Sequence, residues 1–268
     1  MSLQRRPRAG GDQAQSDPRV SATGGPALGG RGDDTPSAEI SEVFSSLQGE
    51  GPYLGKRQIF VRFGRCNMHC AYCDEFDKMQ PGAYKDVDLE GLLGSVEGFE
   101  RAEPGHHSVS LTGGEPLFYP HFLKSFLPEL KRRGFSTYLE TNGVLPGALV
   151  ANLEHVDIVA MDIKPPSSTK DRPFWDSHRR FLEIASQKDV FVKVVITSET
   201  LLDEILRSIE IVRAVRPSIP FIFQPETEAF GISLKALRKI REEFAGPASE
   251  ALSDVRIIPQ RHKIWGVR

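Results

Sequence analysis

The sequence predicts an α/β protein whose mostly parallel sheet, covered by crossover helices, forms a complete or a partial barrel. Two observations lead to this fold class. Short runs rich in β-branched and aromatic residues alternate with longer segments in which apolar residues recur every three or four positions. Because a helix-length segment separates successive runs, each connection is long enough to cross over and leave neighbouring strands parallel.

Each predicted strand is short, apolar and followed by polar or turn-forming residues. The predicted strands are residues 59–63, 108–111, 136–139, 157–161, 190–196 and 220–223. Segments with helical periodicity lie between and after them. The predicted helices are about residues 88–98, 120–133, 146–153, 174–187, 200–215 and 233–244.

The segment before this pattern, residues 1–37, is predicted to be a disordered tail. It consists mainly of Gly, Pro, Arg, Asp, Ser and Ala, so it buries too little apolar surface to offset the entropy of ordering. A mitochondrial presequence is a weaker alternative, because the aspartates of this segment do not suit an acidic-poor transit peptide. Residues 38–268 are expected to form one domain.

The composition points to a soluble, cytoplasmic protein with a small-molecule substrate. A formal net charge of -2 in 268 residues gives no electrostatic reason to expect nucleic acid or an acidic membrane surface as a partner. No apolar run approaches the roughly 20 residues that span a bilayer. We therefore expect neither nucleic-acid binding nor membrane insertion.

The three cysteines of the chain lie within eight residues, in the spacing Cys66-x3-Cys70-x2-Cys73. Three thiolates leave one iron of a [4Fe-4S] cluster open to another ligand, whereas an electron-carrying cluster normally has four cysteines. Three buried thiols or a Cys3His zinc site are the alternatives. The zinc-binding histidine would be His69, His106 or His107. A second cysteine pair, usual in zinc modules, is missing, and an odd number of clustered cysteines disfavours a disulfide.

Polar segments follow the carboxyl ends of the predicted strands. In parallel β/α proteins these ends meet at one edge of the sheet, where functional loops gather. The segments are the cysteine loop after strand 59–63 and residues 112–116, 140–143, 162–166 and 224–226 after later strands. The sequence thus predicts one site at this edge.

Each of these segments also has a structural explanation. Gly113 and Gly114 let the backbone approach a ligand while Glu115 accepts hydrogen bonds from an ammonium group, but a Gly-Gly-x-Pro segment is more often a turn. Residues 140–143 form either an ordinary strand-to-turn exit or a contact to ribose hydroxyls. Residues 48–51 form a turn, or a recognition loop if the site is near.

Two cations interrupt strand-like runs. The Arg62 guanidinium needs a carboxylate partner, either inside the protein or on a substrate. Lys164 either pairs with Asp162 or contacts an anion or an adenosine. Near the end of the chain, the basic residues 256–263 are expected to be solvated, and Trp265 and Arg268 are candidates to cover the site.

Together, the cysteine spacing and Thr112-Gly113-Gly114-Glu115-Pro116 resemble the radical S-adenosylmethionine superfamily. More narrowly, the chain resembles the 7-carboxy-7-deazaguanine synthase family from about residue 39 to its end. The segments that carry this narrower resemblance are Phe44-x3-Gln48-Gly49-Glu50-Gly51, Phe60-Val61-Arg62, Leu139-Glu140-Thr141-Asn142-Gly143, and residues 164–168, 193–195 and 259–266.

The resemblance implies a partial (β/α) barrel, with a substrate-binding N-terminal loop and a C-terminal extension within residues 38–268. It implies a [4Fe-4S] cluster on Cys66, Cys70 and Cys73 whose open iron chelates S-adenosylmethionine. Reductive cleavage would give a 5′-deoxyadenosyl radical. The implied reaction converts 6-carboxy-5,6,7,8-tetrahydropterin to 7-carboxy-7-deazaguanine with loss of ammonia, in queuosine or 7-deazapurine biosynthesis. An electron donor such as flavodoxin or ferredoxin and a homodimer are also implied.

The resemblance also implies roles for individual residues. The methionine part of the cofactor would meet Gly113, Gly114 and Glu115. The adenosine side would be surrounded by Tyr72, Cys73, Asp74, Glu140, Asn142, Lys164 and Gln224. The pterin would contact Leu47, Gln48, Gly49, Glu50, Arg62 and Thr112, with Arg62 suited to its carboxylate.

The chain departs from the family pattern at Glu75. The family binds Mg²⁺ through a Thr or Ser hydroxyl directly after a Cys-Asp pair, and here Glu75 follows Cys73-Asp74. A carboxylate ligates Mg²⁺ directly, but it adds a negative charge beside an anionic substrate. Glu75 is therefore expected to bind Mg²⁺, to replace it or to mark an altered substrate.

Two alternative functions remain. A glycyl-radical activating enzyme shares the cysteine spacing, but residues 48–51 and the C-terminal motif do not belong to that class, and no cysteine after Cys73 is present for auxiliary clusters. A zinc-stabilised binding module without catalysis is the alternative from a different class.

Overall fold

An open, twisted sheet organises the protein. The computed structural model describes residues 36–228 and 231–267. The predicted tail lies outside the described residues apart from positions 36 and 37, and the first strand begins at Ser37.

The strands of the described residues, in chain order, are β1 (Ser37–Leu47), β2 (Arg57–Phe63), β3 (Lys85–Asp88), β4 (Ser108–Gly113), β5 (Thr137–Thr141), β6 (Ile158–Ile163), β7 (Asp189–Ile196), β8 (Phe221–Pro225), β9 (Thr227–Glu228), β10 (Gly231–Ile232) and β11 (Val255–Ile257). All but β9 and β10 form one sheet in the order β11-β8-β7-β6-β5-β4-β2-β1-β3. From β2 to β11 the neighbouring strands are parallel, while β1 is antiparallel to both β2 and β3.

The predicted fold class is confirmed: the sheet is mostly parallel, and it stays open rather than closing into a complete barrel. All the predicted strands are present, as β2 and β4 to β8. The sequence analysis missed β1, β3 and β11. These strands lie towards the ends of the sheet, and each has partly or fully exposed positions, so their apolar pattern is weak.

The helices are α1 (Leu89–Ala102), α2 (Pro120–Arg132), α3 (Pro146–Asn152), α4 (Pro166–Thr169), α5 (Trp175–Ala185), α6 (Leu202–Val215), α7 (Leu234–Lys239), α8 (Ala245–Ala251) and α9 (Arg261–Trp265). Short 3-10 helices span Phe76–Met79, Pro116–Phe118 and Leu153–His155, and a π-helical turn spans Ile240–Phe244. Helix α1 begins where Asp88 accepts a hydrogen bond from the Gly91 N–H at 2.8 Å, which satisfies an otherwise free donor. Among the described residues, no helix is long and apolar enough to cross a bilayer.

The two faces of the sheet bury different side chains. On the outer face, strand residues such as Leu139 and Val159 pack under the helices in the main core. On the inner face, a smaller cluster that includes Tyr138, Ala160 and Phe191 forms an apolar floor. Residues two apart in a strand share a face. The residue two positions after each floor residue therefore lies on the same face, above the floor.

The next inner-face position along each strand is polar. Glu140 follows Tyr138 on β5, and Lys193 follows Phe191 on β7. The same step leads from Phe60 to Arg62, Ser110 to Thr112, Ala160 to Asp162 and Ile222 to Gln224. The carboxyl ends of the strands therefore place a ring of polar side chains directly above an apolar floor.

Candidate active site

A cavity of about 610 Å³ opens above this floor at the carboxyl ends of the strands. With the exception of Glu115, every residue that the family resemblance assigned to the cluster, the cofactor, the pterin or Mg²⁺ lines it. Those residues are Leu47, Gln48, Gly49, Glu50, Arg62, Cys66, Cys70, Tyr72, Cys73, Asp74, Glu75, Thr112, Gly113, Gly114, Glu140, Asn142, Lys164 and Gln224. The fold thus brings together residues nearly 180 positions apart, and their individual roles stay predictions.

The cysteine loop, residues 64–75, is held against the sheet by the 112–116 segment. The Gly114 N–H donates to the Phe63 carbonyl at 3.0 Å, and the Glu115 N–H donates to the Arg65 carbonyl at 2.7 Å. Only glycine fits at position 114, because a Cβ there would lie 2.0 Å from the Arg65 carbonyl oxygen. The Gly-Gly pair therefore acts as the seat of the cysteine loop.

Glu115 lies behind the cavity wall and is fully buried. Its carboxyl group accepts hydrogen bonds from the Leu117 N–H at 3.0 Å, the Thr141 hydroxyl at 2.8 Å and the Asn142 N–H at 2.8 Å. Burial raises the pKa of Glu115 to about 7, against the lowering effect of these hydrogen bonds. Glu115 ties the 112–116 segment to the end of β5, and its contact with the cofactor stays a prediction.

Asn142 holds the cysteine loop from the other side. Its Nδ2 donates to Oδ1 of Asn67 at 2.8 Å and lies 3.9 Å from Sγ of Cys66. Behind it, Nε2 of the buried His178 lies 3.1 Å from the Asn142 carbonyl oxygen. Burial lowers the pKa of His178 to about 4, so the ring is neutral at physiological pH and Nε2–H donates to that carbonyl. His178 was not predicted as a site residue. Its position in the apolar pattern of α5 indicates only that it is buried.

The three thiols fit an iron–sulfur cluster better than a zinc site. All three line the same cavity and are partly buried. Burial raises the pKa of each thiol, that of Cys66 to about 12, so a bound metal must displace the protons. Among the described residues, no three His, Cys, Asp or Glu side chains are placed around a single metal ion, as a mononuclear site would need. A cluster instead distributes its thiolates over separate irons.

The histidines considered for a zinc site do not support one. His69 is exposed and does not line the cavity. Nδ1 of His106 contacts Glu100 at 2.6 Å and its Nε2 contacts Ser45 at 2.7 Å. Nδ1 of His107 lies 3.0 Å from the Ser108 hydroxyl. None of these three histidines lines the cavity with the thiols.

Arg62 pairs with two carboxylates inside the protein. Its Nε donates to Oε1 of Glu42 at 2.8 Å, and NH1 lies 3.2 Å from Oε1 of Glu75. Burial raises the pKa of Glu75, although Arg62 acts in the opposite direction. A guanidinium this close to Glu75 repels a divalent cation. Glu75 is therefore paired with a cation in this structure, and its role as a Mg²⁺ ligand stays a prediction.

Glu140 organises the residues predicted to contact the pterin. Its carboxylate accepts hydrogen bonds from Gln48 Nε2 and from the Thr112 hydroxyl, both at 2.8 Å. Gln48 Nε2 also lies 3.0 Å from Oε1 of the buried Gln58. Glu140 was assigned to the adenosine side from the sequence, but its protein partners are on the predicted pterin side of the cavity.

Two buried acceptors face the cavity without a partner. Oδ1 of Asp162 and Oε1 of Gln224 have no hydrogen-bond partner among the described residues, and both residues line the cavity. Since buried acceptors without a partner are costly, these oxygens are suited to N–H or O–H donors of a ligand.

The sequence analysis assigned no role to several polar side chains of the cavity. Lys193 interrupts an apolar strand as Arg62 does, and this signal was available in the sequence. Gln260, His262 and Lys263 come from residues 258–267, which we call the C-terminal segment. Trp265 does not line the cavity, and Arg268 lies outside the described residues.

The class of protein follows from a match to a known protein family. A model described as the Radical SAM superfamily matches residues 60–218, a stretch that includes all three cysteines and the 112–116 segment. This match covers more than half of the chain, so the class of protein is radical SAM.

Individual relatives define the family. A relative from Geobacter sulfurreducens named 7-carboxy-7-deazaguanine synthase is 43% identical over 248 residues, which cover 86% of this chain and 98% of the relative. A relative of the same name from Methanopyrus kandleri is 34% identical over 255 residues, covering 88% and 96%. The chain therefore belongs to the 7-carboxy-7-deazaguanine synthase family of the radical SAM superfamily.

A solved structure agrees with the fold. The crystal structure of QueE from Escherichia coli matches with a TM-score of 0.56 and 20% sequence identity, covering 84% of this chain and 94% of that chain. At this identity the likeness supports the open α/β fold alone.

Proposed function

We propose that this chain is a lyase that converts 6-carboxy-5,6,7,8-tetrahydropterin to 7-carboxy-7-deazaguanine with loss of ammonia, a step of queuosine or 7-deazapurine biosynthesis. We call residues 48–51 the recognition loop. The observation that carries the proposal is that the three thiols, the recognition loop and the polar ends of the strands line one cavity. Relatives with the corresponding name match this chain over almost their whole length.

In this proposal Cys66, Cys70 and Cys73 hold a [4Fe-4S] cluster. When bound, such a cluster would supply the electron for the reductive cleavage of S-adenosylmethionine. The protein seats the cysteine loop through Gly114 and Asn142 and supplies an apolar floor beneath the reacting groups. This floor excludes water, which protects a reactive species from side reactions.

Arg62 is proposed to bind the carboxylate of the pterin. A guanidinium suits a carboxylate because it donates two parallel hydrogen bonds. Its NH1 lies 3.2 Å from Glu75, so a substrate carboxylate would compete with Glu75. Glu140 and Gln48, already hydrogen-bonded at 2.8 Å, would present acceptors and donors to the rings.

Mg²⁺ is proposed from the family resemblance, with Glu75 as its ligand. The test is product formation by the wild type and by Glu75→Ala, each with Mg²⁺ added and with Mg²⁺ removed by a chelator. If Glu75 ligates the ion, Glu75→Ala should lose its dependence on Mg²⁺. Unchanged dependence in Glu75→Ala would reject Glu75 as the ligand.

Three further parts of the proposal concern the setting of the enzyme. Cleavage of S-adenosylmethionine needs one electron, for which we propose a donor such as flavodoxin or ferredoxin. We also propose a homodimer, to be checked by light scattering on a sizing column, and a cytoplasmic location. The cavity and charge pattern give no role to nucleic acid.

The central experiment is turnover by the anaerobically reconstituted enzyme. Protein given the tetrahydropterin, a reductant and S-adenosylmethionine should release 7-carboxy-7-deazaguanine, and a preparation with intact cluster that releases none would reject the function. Metal analysis separates the alternatives, since about four irons per chain agree with one cluster, whereas one zinc would point to a binding module.

A further inference from the structure

A chain of polar contacts runs across the cavity from the cysteine loop to the recognition loop. Lys164 Nζ donates to the Tyr72 hydroxyl at 3.2 Å and to Oδ2 of Asp162 at 2.8 Å. The same Asp162 oxygen lies 3.5 Å from Nζ of Lys193. Lys193 in turn donates to Oε2 of Glu50. Ammonium and carboxylate groups therefore alternate along this path.

A second path returns from the recognition loop to the cysteine loop through the C-terminal segment. Gln260 Nε2 donates to Oε1 of Glu50 at 2.8 Å and lies 3.2 Å from Oδ2 of Asp74. Tyr72 and Asp74 are the two neighbours of Cys73 in the chain. The two paths thus form a closed ring that begins and ends beside one cluster ligand.

Lys193 is the member of the ring that links Asp162 to Glu50, where the two paths meet. Its side chain is 15% exposed, and those of Glu50 and Asp162 are 16% and 13% exposed. Burial alone would raise the pKa of Glu50, but Lys193 acts against it and the pKa is lowered to about 2. Without the ammonium, the partly buried Glu50 carboxylate would lose its ion-pair partner, whereas Asp162 would keep Lys164. Leaving a buried carboxylate without its cation is strongly unfavourable.

The ring also connects two segments that lie outside the main sheet, the recognition loop and the C-terminal segment. The recognition loop lies between β1 and β2. The Arg261 N–H of the C-terminal segment donates to the Gly49 carbonyl of this loop at 2.8 Å. At Gly49 a Cβ would lie 2.3 Å from Nδ1 of His262, so the two segments are in direct contact. The Glu50 to Lys193 pair links these two joined segments to β7, in addition to the bond from Gln48 to Glu140 and the bond from the Ile258 N–H to the Phe223 carbonyl.

We propose that Lys193 is a positioning residue for the substrate: it holds Glu50, and through Glu50 it holds the recognition loop and the C-terminal segment against the cofactor side of the cavity. This inference rests on the proposed function and deepens it by adding a cation that acts through a predicted substrate contact. Because the cluster ligands are seated elsewhere, loss of Lys193 should weaken pterin binding while cofactor cleavage continues.

The test compares anaerobic holoenzymes of the wild type, Lys193→Met and Lys193→Arg. Removing one partner of a buried ion pair typically weakens an interaction by roughly thirtyfold or more. Because the Lys193 and Glu50 side chains are partly exposed, Lys193→Met should raise the KM for the pterin by about tenfold to a hundredfold. It should also release more 5′-deoxyadenosine per product, since the radical forms beside a poorly placed substrate. Lys193→Arg keeps the positive charge and should recover most of both losses.

Lys131→Met is the matched control. Lys131 also forms an ion pair with an aspartate, at 2.6 Å from Asp157, but it lies on α2 and does not line the cavity. This variant should lose stability without a change in KM or in the ratio of 5′-deoxyadenosine to product. Equal effects of Lys131→Met and Lys193→Met would reduce Lys193 to a structural role and overturn the proposal.

Glu50→Gln tests the same link from the other side and keeps the shape of the side chain. If Lys193 acts through Glu50, the KM of the double variant Lys193→Met, Glu50→Gln should be close to that of Glu50→Gln alone. Fully additive effects on KM would overturn the proposal, and so would an unchanged KM in both single variants.

Hydrogen exchange separates this inference from the proposed function. In the holoenzyme without pterin, Lys193→Met should accelerate amide exchange in residues 48–51 and 259–263 relative to the wild type, with no change in β4 or β5. If the wild type makes no deazaguanine product, the proposed function fails, and this exchange pattern still decides whether Lys193 holds the two segments. Wild-type exchange in both segments would overturn the inference.

Discussion

Replacing Gly114 with alanine should unseat the cysteine loop from the sheet. An added Cβ would lie 2.0 Å from the Arg65 carbonyl oxygen and 2.4 Å from its carbon. Both are backbone atoms, so no side-chain rotation relieves the clash, and the two segments must separate by about 1 Å or more. The separation would stretch the bonds from Gly114 N–H to Phe63 and from Glu115 N–H to Arg65, now 3.0 and 2.7 Å.

The cost follows from these contacts. Each disrupted buried backbone hydrogen bond costs about 1 to 3 kcal/mol, and overpacking alone costs about 1 to 3 kcal/mol. We therefore expect a loss of about 3 kcal/mol or more, which corresponds to a fall in Tm of roughly 6 to 12 °C for a protein of this size. Because Cys66 directly follows Arg65, iron content should fall as well.

The assay is anaerobic thermal unfolding together with iron analysis of the reconstituted protein. Gly94→Ala is the control, since Gly94 lies on the exposed side of α1 and an added Cβ meets no atom within 4 Å. That change should stabilise the helix by about 0.5 to 1 kcal/mol and leave the iron content unchanged. A Gly114→Ala protein with wild-type Tm and full iron content would refute the argument that this glycine seats the loop.

Three further outcomes are expected. Cys70→Ala should abolish cofactor cleavage and lower the iron content, and cleavage at the wild-type rate would contradict its role as a ligand. Burial raises the pKa of Glu115 from 4.5 to about 7, so the folded state keeps a proton that the unfolded state releases, and stability should fall by about 3 kcal/mol as pH rises through this interval. Urea unfolding at pH 4.5 and 8 should show this fall in the wild type and lose it in Glu115→Gln; an equal fall in both would exclude Glu115 as its source. Asn142→Ala removes an N–H near the Cys66 sulfur and should lower the reduction potential of the cluster in an EPR-monitored titration, whereas an unchanged potential would show that the contact has no electronic effect.

Much of the fold could be predicted because its signals are local. Strands such as β7 are continuous apolar runs, as expected of strands buried on both faces of a parallel sheet, and the helices between them show a clear apolar periodicity. β1 and β11 lack this signal, because each is only partly buried and depends on a neighbour from elsewhere in the chain. These strands form because they pair with β2 and β8, and their own sequences do not predict them.

In the candidate site, too, local motifs could be predicted from the sequence, whereas contacts between distant residues could not. Cys66, Cys70 and Cys73 were identified from spacing within eight residues, and Gly114 from its place in a short motif. Glu115 was expected to contact the ligand; in the structure it accepts hydrogen bonds from Thr141 and Asn142 behind the cavity wall, and its contact with the cofactor stays a prediction. The partners of Arg62 were left open by the sequence, and the structure supplies Glu42 and Glu75.

By itself, the sequence determined the alternation of strands and helices, the three cysteines predicted to hold the cluster and the edge of the sheet where the polar segments meet. These features depend on residues close together in the chain, whose periodicity and spacing are visible without coordinates. Only the tertiary structure decided which charges meet inside the cavity. Lys193 and Glu50 are 143 positions apart, and Gln260 and Glu50 are 210 apart. A buried ammonium requires a nearby carboxylate, but only the folded sheet decides which carboxylate that is.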